Sequence, residues 1–206
     1  MKKNYFLFAL YLFVPIAIGI VSCGEKKPAK KVVVMSSGKM QLDQNDKALI
    51  NFEPGGQHNE LIIELPADKA SITVKSPQGD KQFDVAGEGL FVINLKTDTI
   101  VGGVVNYGTT GIPSSISKEQ LDHIIDSTQK LLLGQNTSDE KKSFQILPMN
   151  SKKLSANSNE NVIGPHSSIP GKVEVDEKGN APVYYKFDTN SQKRVQLKNM
   201  LEIMTK

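Results

Sequence analysis

From residue 32 to residue 107 the apolar positions fall in short runs or alternate with polar ones, and Gly, Pro or Asp interrupts them every 8–12 residues. Val32-Val33-Val34 opens the series. Leu49, Ile50 and Phe52 follow, with Pro54-Gly55-Gly56 as a breaker, and then Leu61-Ile62-Ile63-Glu64-Leu65, ended by Pro66. Ile72 and Val74 alternate with Ser71, Thr73 and Lys75, the period-two signature of a half-buried strand. Ser76-Pro77-Gln78-Gly79 spells a turn, because Pro presets φ at the second position and Gly suits the fourth. Phe83 and Val85 continue the alternation, and Gly87-Glu88-Gly89 turns into the run Leu90–Leu95. Lys96 to Thr99 turns again, and residues 100–107 form the next strand, with Gly102-Gly103 marking a bulge or a close backbone approach. Such spacing predicts a mainly β chain folded as an antiparallel sandwich or barrel.

Residues 108–116 read as a loop, a plausible contact surface, and a helix over 117–133 follows. Ser117 caps it and Gln120 completes a capping box. Leu121, Ile124, Ile125, Thr128, Leu131 and Leu132 fall on one face, which predicts packing on the sheet, and Gly134 suits the C-terminal cap. Residues 135–161 are polar and read as a flexible segment holding one strand, Phe144–Leu147. In residues 162–206, Val173 and Val175, the turn cluster Asp176–Asn180 and the run Val183–Phe187 predict a hairpin. A last helix starts at Thr189 or Ser191 and carries Leu197, Met200, Leu201 and Met204 on one face; this tail packs on the main domain of residues 32–134. The strand pattern resembles that of immunoglobulin-like and transthyretin-like modules, which implies an antiparallel β-sandwich with one central and one C-terminal helix.

The start of the chain carries a different signal. Lys2 and Lys3 precede an apolar stretch over residues 5–21. A transmembrane anchor needs about 20 apolar residues, and this run is shorter and holds Pro15 and Gly19. Ala17-Ile18-Gly19 offers an ordinary cleavage site. Ile20-Val21-Ser22-Cys23, however, resembles the lipobox of bacterial lipoproteins. That resemblance, over residues 1–23, implies removal of residues 1–22, a diacylglycerol thioether on Cys23 and acylation (palmitate) of the new amino terminus. Two or three acyl chains anchor stably, since each buried methylene adds about 0.8 kcal/mol. Gly24 rather than Asp follows the Cys, which by the same resemblance implies an outer-membrane destination. Residues 23–31, with Lys26, Lys27, Lys30 and Lys31, then read as lipidated Cys plus polar tether.

Charge follows from that reading. The whole chain carries 25 Lys plus Arg against 22 Asp plus Glu, and without residues 1–22 the balance is 23 against 22. Only Arg194 is an arginine. This composition argues against nucleic acid as a partner. Cys23 is the sole cysteine, so the body has no disulfide, thiolate metal site or Cys nucleophile. With no Trp and only eight Phe and Tyr after residue 22, the core must be aliphatic.

Candidate chemistry is sparse. His58, His123 and His166 are 65 and 43 residues apart, too far for a recognisable ligand spacing. His123 falls about 200° from Leu121 on the helical wheel and faces solvent, and the other two read as loop residues. Ser115-Ile116-Ser117-Lys118 matches the Ser-x-x-Lys pattern, yet Ser36–Lys39 and Ser138–Lys141 match it too and no Ser-Asp-Asn or Lys-Thr-Gly follows. Asp43, Asn45 and Asp46 begin like a calcium loop, but Ala48 stands where Gly is needed and Pro54 where Glu is needed. No catalytic set, metal site or cofactor fingerprint is assigned. The expectation is a lipid-anchored envelope module that binds or supports an envelope protein or a glycan. The alternatives are an envelope hydrolase, with Ser115 and Lys118 as its residues, or an inhibitor or immunity lipoprotein.

Overall fold

The computed structural model describes residues 29–105, 117–177 and 179–204. In chain order the elements are β1 (Lys30–Leu42), β2 (Leu49–Leu65), β3 (Ser71–Lys75), β4 (Lys81–Asp84), β5 (Gly89–Leu95), β6 (Ile100–Val105), α1 (Lys118–Leu132), β7 (Ser143–Ile146), β8 (Asn150–Ser155), β9 (Asn161–Ile163), β10 (Tyr184–Thr189) and α2 (Asn190–Met204). They form a six-stranded sheet in the order β4-β3-β2-β1-β5-β8 and a four-stranded sheet in the order β7-β6-β10-β9.

Among the described residues the two longest unbroken apolar runs, Val32–Met35 and Leu90–Ile93, sit where burial is deepest. β1 and β5 pair in parallel at the middle of the larger sheet, Val32 opposite Phe91 and Val34 opposite Ile93. Strands covered on both faces read as continuous apolar runs rather than alternating ones. Successive side chains point to opposite faces. Val32, Val34, Phe91 and Ile93 therefore join Ile50, Phe52, Ile63, Leu65, Ile72, Val74 and Phe83 in one core. Val33, Met35, Leu90 and Val92 join Ile100, Phe144, Ile146, Tyr185 and Phe187 in another, between the sheets. The larger sheet curls around the first core until its edge strands meet: Ser151 Oγ in β8 donates to Asp84 O in β4 at 3.1 Å, and Lys81 Nζ donates to Met149 O at 2.6 Å. Fully burying each aliphatic side chain in that interior contributes about 1.5–3 kcal/mol.

Both helices lie on the smaller sheet, α1 against β6 and β7, α2 against β6 and β10, and they pack on each other. Ser117 caps α1 through Gln120 in a reciprocal box, and Gly134 ends it at φ 71°, as the sequence predicts. Thr189 and Gln192 repeat the box at the start of α2. The apolar stripe of α1 buries Ile125 and Leu132, while Ile124 stays partly exposed. On α2, Leu197 and Met200 are half-buried and Leu201 is exposed; the side chain of Met204 lies outside the described set. No described helix is long and apolar enough to cross a membrane.

The mainly β, two-sheet, two-helix reading agrees with the structure, and several details differ. The sheets are mixed rather than wholly antiparallel: β1·β5, β2·β3 and β9·β10 are parallel pairs. The breaker Pro54-Gly55-Gly56 does not separate two strands. It forms a bulge inside β2, where Gly38 pairs with Pro54 while Ser37 pairs with His58. The polar segment 135–161 is not a free linker throughout: Asn150–Ser155 becomes β8, paired antiparallel with β5. Only Leu154 of β8 is buried, but Lys153 and Lys152 lie 5.6 and 5.9 Å from the Phe91 and Phe144 rings, so lysine stems cover the two cores at this edge. The Asp176–Asn180 turn forms, yet Val173 and Val175 make no strand; β10 pairs instead with β6 and β9. Lys30 and Lys31 belong to β1 rather than to a tether. Lys30 is fully buried, donates through Nζ to Lys69 O and lies 5.9 Å from the Phe91 ring.

Candidate functional site

Polar side chains that the sequence scatters over 150 residues gather along the seam between the two sheets. The register of β1 and β2 places them first. Ser37 stands opposite His58 and Met35 opposite Glu60, on the face of the larger sheet that carries Val33 and Met35 toward the smaller one. His58 Nε2 donates to Glu60 Oε1 at 2.8 Å. The Glu60 carboxylate rests on Gly164, so closely that a Cβ there would collide with it. Beyond Gly164 the chain turns through Pro165 into His166, which adopts φ 70°, and its ring centroid comes to 5.4 Å from that of His58 at an angle of 51°. Gln192 of α2 donates to His166 Nδ1 at 3.0 Å.

The smaller sheet supplies the other half. Lys186 Nζ donates to Gly164 O at 2.7 Å and pairs with Asp188 at 2.9 Å, and Lys193 of α2 pairs with the second Asp188 oxygen at 2.9 Å. Burial alone would push the Asp188 carboxyl up; the hydrogen bonds from Lys193 and Lys186 outweigh it and hold the group below its ordinary value. Lys96, just after β5, is almost fully buried and donates through Nζ to Ser36 O at 3.0 Å. Burial pulls its ammonium below the usual lysine value, against the fields of Glu60 and Asp98. Asn94, fully buried at the middle of the seam, donates to Asp98 O and Ile146 O, both at 3.0 Å, and so ties β5 to β7. At the far end Tyr185 donates to Glu160 Oε2 at 3.0 Å. Burial, together with this hydrogen bond and the Glu160 charge, pushes the phenol up to about 12.

Two open clefts flank the bulge on the larger sheet. One of about 320 Å³ is lined by Lys39, Met40, Gln41, Asn51, Glu53 and Asn59, and one of about 250 Å³ runs over Gly38, Lys39 and Glu53 to Gln57. Gly38, at φ 137°, has no room for a Cβ, which would sit 2.7 Å from Gly55 N. Ser36 Oγ and Asn59 Nδ2 both donate to its carbonyl, at 3.0 and 2.7 Å, and pin the bulge.

Chemically, Glu60 fixes the His58 ring through Nε2, while Nδ1 is buried and bonded to no described protein group. Among the described residues no group of three His, Cys, Asp or Glu side chains has metal-binding geometry. The sequence places His58 and His166 in loops without partners. His58 instead lies in β2, and the two rings meet across 108 residues of chain. His123 is exposed on α1, as expected, and Lys118 is the exposed first residue of that helix. Asp43 accepts from the backbone of Asn45 and Asp46, so this stretch is a hairpin turn. Ile20, Val21, Ser22, Cys23 and Ser115 lie outside the described residues, as does the 108–115 loop. Sequence reasoning missed Glu60, Lys96, Lys186, Asp188 and Gln192. The available signal was a charge or amide set inside a strand-like run, as in Asn94-Leu95-Lys96 and Lys186-Phe187-Asp188. No family model matches the chain, and no curated protein or solved structure is significantly similar to it.

Proposed function

We propose that this chain is a lipid-anchored lipoprotein of the cell envelope, held in the outer membrane where the host has two, and that its body acts as a binding or structural module for an envelope protein or a glycan. The observation that carries the reading is Ile20-Val21-Ser22-Cys23 behind two lysines and an apolar run, with Cys23 the only cysteine. β1 begins at Lys30, seven residues after Cys23, so the lipid would hold the body within about 25 Å of the bilayer surface. We read the body as a β-sandwich of the immunoglobulin-like or transthyretin-like kind that its strand pattern resembles, with its parallel pairs as the departure from them. The polar clefts beside Gly38, with amide, ammonium and carboxylate groups on their walls, suit a ligand rich in hydrogen-bonding groups.

Labelling cells with a clickable palmitate, with and without Cys23→Ala, and then treating intact cells with protease tests the reading. Label lost in the variant, with the body shaved by protease, supports a surface lipoprotein; label with full protection supports periplasmic partners. Absence of label in the wild type overturns the proposal.

A further inference from the structure

The larger sheet has an open edge that is complementary to itself. β5 accompanies β1 only as far as Ser36, opposite Leu95, and among the described residues no other strand continues beside Gly38–Leu42. The β1–β2 hairpin shows which backbone groups this leaves outside a ladder. Asp43 N–H donates to Leu49 O at 2.9 Å. Hydrogen-bonded and non-hydrogen-bonded pairs alternate along an antiparallel ladder. Gln41–Asn51 and Lys39–Glu53 therefore exchange bonds across the hairpin, while Met40–Phe52 and Leu42–Ile50 do not. The N–H and C=O of Met40 and Leu42 point away from β2, toward the open edge. Lys39 and Gln41 are exposed, Met40 and Leu42 are half-buried, and the cleft of about 320 Å³ opens beside Lys39, Met40 and Gln41. An edge of this kind is a template for a further strand, and its side chains decide which strand fits.

Alternation puts Lys39, Gln41 and Asp43 on one face of this edge and Met40 and Leu42 on the other. Set antiparallel to a second copy of itself about Gln41, the stretch brings Lys39 opposite Asp43 twice, Gln41 opposite Gln41, and Met40 opposite Leu42 twice. The outward N–H and C=O of Met40 then meet those of Leu42, as a hydrogen-bonded antiparallel pair requires. Opposite charges, an amide pair and two apolar pairs face one another in the same register, and such cross-strand pairs are what stabilises a sheet. Asp43 Oδ1 accepts from the Asn45 and Asp46 N–H groups, which leaves Oδ2 for the ammonium. Centring on Met40 instead would set Leu42 against Gly38, whose carbonyl already accepts from Ser36 and Asn59. We propose that the chain associates with a second copy of itself as a two-fold dimer, residues 39–43 of β1 and its turn pairing antiparallel with the same residues of the other copy, so that the two larger sheets join. The inference goes beyond the binding role and does not depend on lipidation of Cys23.

Sedimentation velocity of the full-length protein in detergent over a range of concentrations, together with disulfide trapping, tests the dimer. The expected result is a reversible monomer–dimer equilibrium that weakens as salt rises. Met40→Pro removes an N–H that the hairpin does not use and is expected to weaken association about tenfold or more. Lys39→Glu sets two acidic groups opposite Asp43 and is expected to weaken it to a similar extent. Gln41→Cys is expected to form a disulfide-linked dimer under mild oxidation, mapped to position 41 by peptide mass spectrometry, because Cα atoms in a non-hydrogen-bonded pair lie about 4.5 Å apart, within disulfide reach. Circular dichroism and thermal melting confirm that each variant is folded; if Met40→Pro is not, Lys39→Glu and the Gln41→Cys linkage decide. A monomer at every concentration, a dimer that the folded Met40→Pro and Lys39→Glu variants leave unchanged, or a Gln41→Cys variant that links to a different protein rather than to a second copy overturns the proposal.

Discussion

The interior of the curled sheet and the seam between the sheets share two strands and have opposite chemistry. Inside the curl, Val32, Val34, Ile50, Ile63, Ile72, Val74 and Ile93 meet one another, and buried Lys30, its ammonium 5.9 Å from the Phe91 ring, is the charged exception beside them. Across β1 and β5, less than a strand's thickness away, the seam buries Asn94, Lys96, Asp188 and Glu160 beside its apolar residues. The interior is stabilised by burial, which any well-shaped aliphatic set provides. The seam depends on particular partners, because a buried polar group left unpaired costs more than its hydrogen bond contributes. The interior therefore tolerates isosteric exchange, whereas the seam permits little and holds the groups able to do chemistry.

The comparison breaks most visibly where the smaller sheet admits no side chain at all. At Gly102 a Cβ would collide with Lys186 O and lie 2.8 Å from the Phe187 Cα. Gly102→Val is expected to cost more than about 4 kcal/mol, read by denaturant melts as loss of most of the folded population. Ile50→Ala, at a fully buried position in the interior, is expected to cost about 2–5 kcal/mol by transfer and cavity terms, while Ile50→Val costs about 1 kcal/mol.

In the seam the ionic partners come next. Asp188→Ala leaves Lys186 and Lys193 without their carboxylate, and because both lysines keep some contact with water the expected loss is about 2–3 kcal/mol, below that of a fully buried pair. Its pH dependence identifies the cause. The folded Asp188 carboxyl ionises more readily than its ordinary value of 3.8, so its contribution is present above that pH and is lost as pH falls through the lowered folded value. Acid melts of Asp188→Ala should lack that loss. Among the polar substitutions the smallest effect is Tyr185→Phe, expected to cost about 1–2 kcal/mol at neutral pH, since Glu160 loses a buried donor. The phenol titrates near 10 unfolded and about 12 folded, so wild-type stability should drop between pH 10 and 12 and the Phe variant should not show that drop.

The same contrast explains how much was legible in the sequence. Ile72-Thr73-Val74, Leu90–Leu95 and the Ser117–Gln120 box declare themselves locally, because period and capping act within a few residues. Gly102-Gly103 reads correctly as a close approach. β8 does not declare itself: in Asn150–Ser155 one leucine is buried, and the strand exists because the free edge of β5 needs a partner and lysine stems can cover it. The predicted hairpin at Val173–Phe187 fails for the converse reason, since β10 finds longer pairing with β6 than its own turn offers. The His58–His166 contact joins residues 108 positions apart through Pro165 and a left-handed backbone at His166, and no local pattern encodes that meeting.

Both regions explain how the body holds together; in the proposed function it is Cys23 that would tie it to an envelope. Intact-mass measurement of the protein extracted in detergent from its own membranes tests that claim most directly. The account predicts a chain beginning at Cys23 and heavier than residues 23–206 by a diacylglycerol, with or without a further acyl group. A chain that retains residues 1–22, or one that begins elsewhere without lipid, would contradict it.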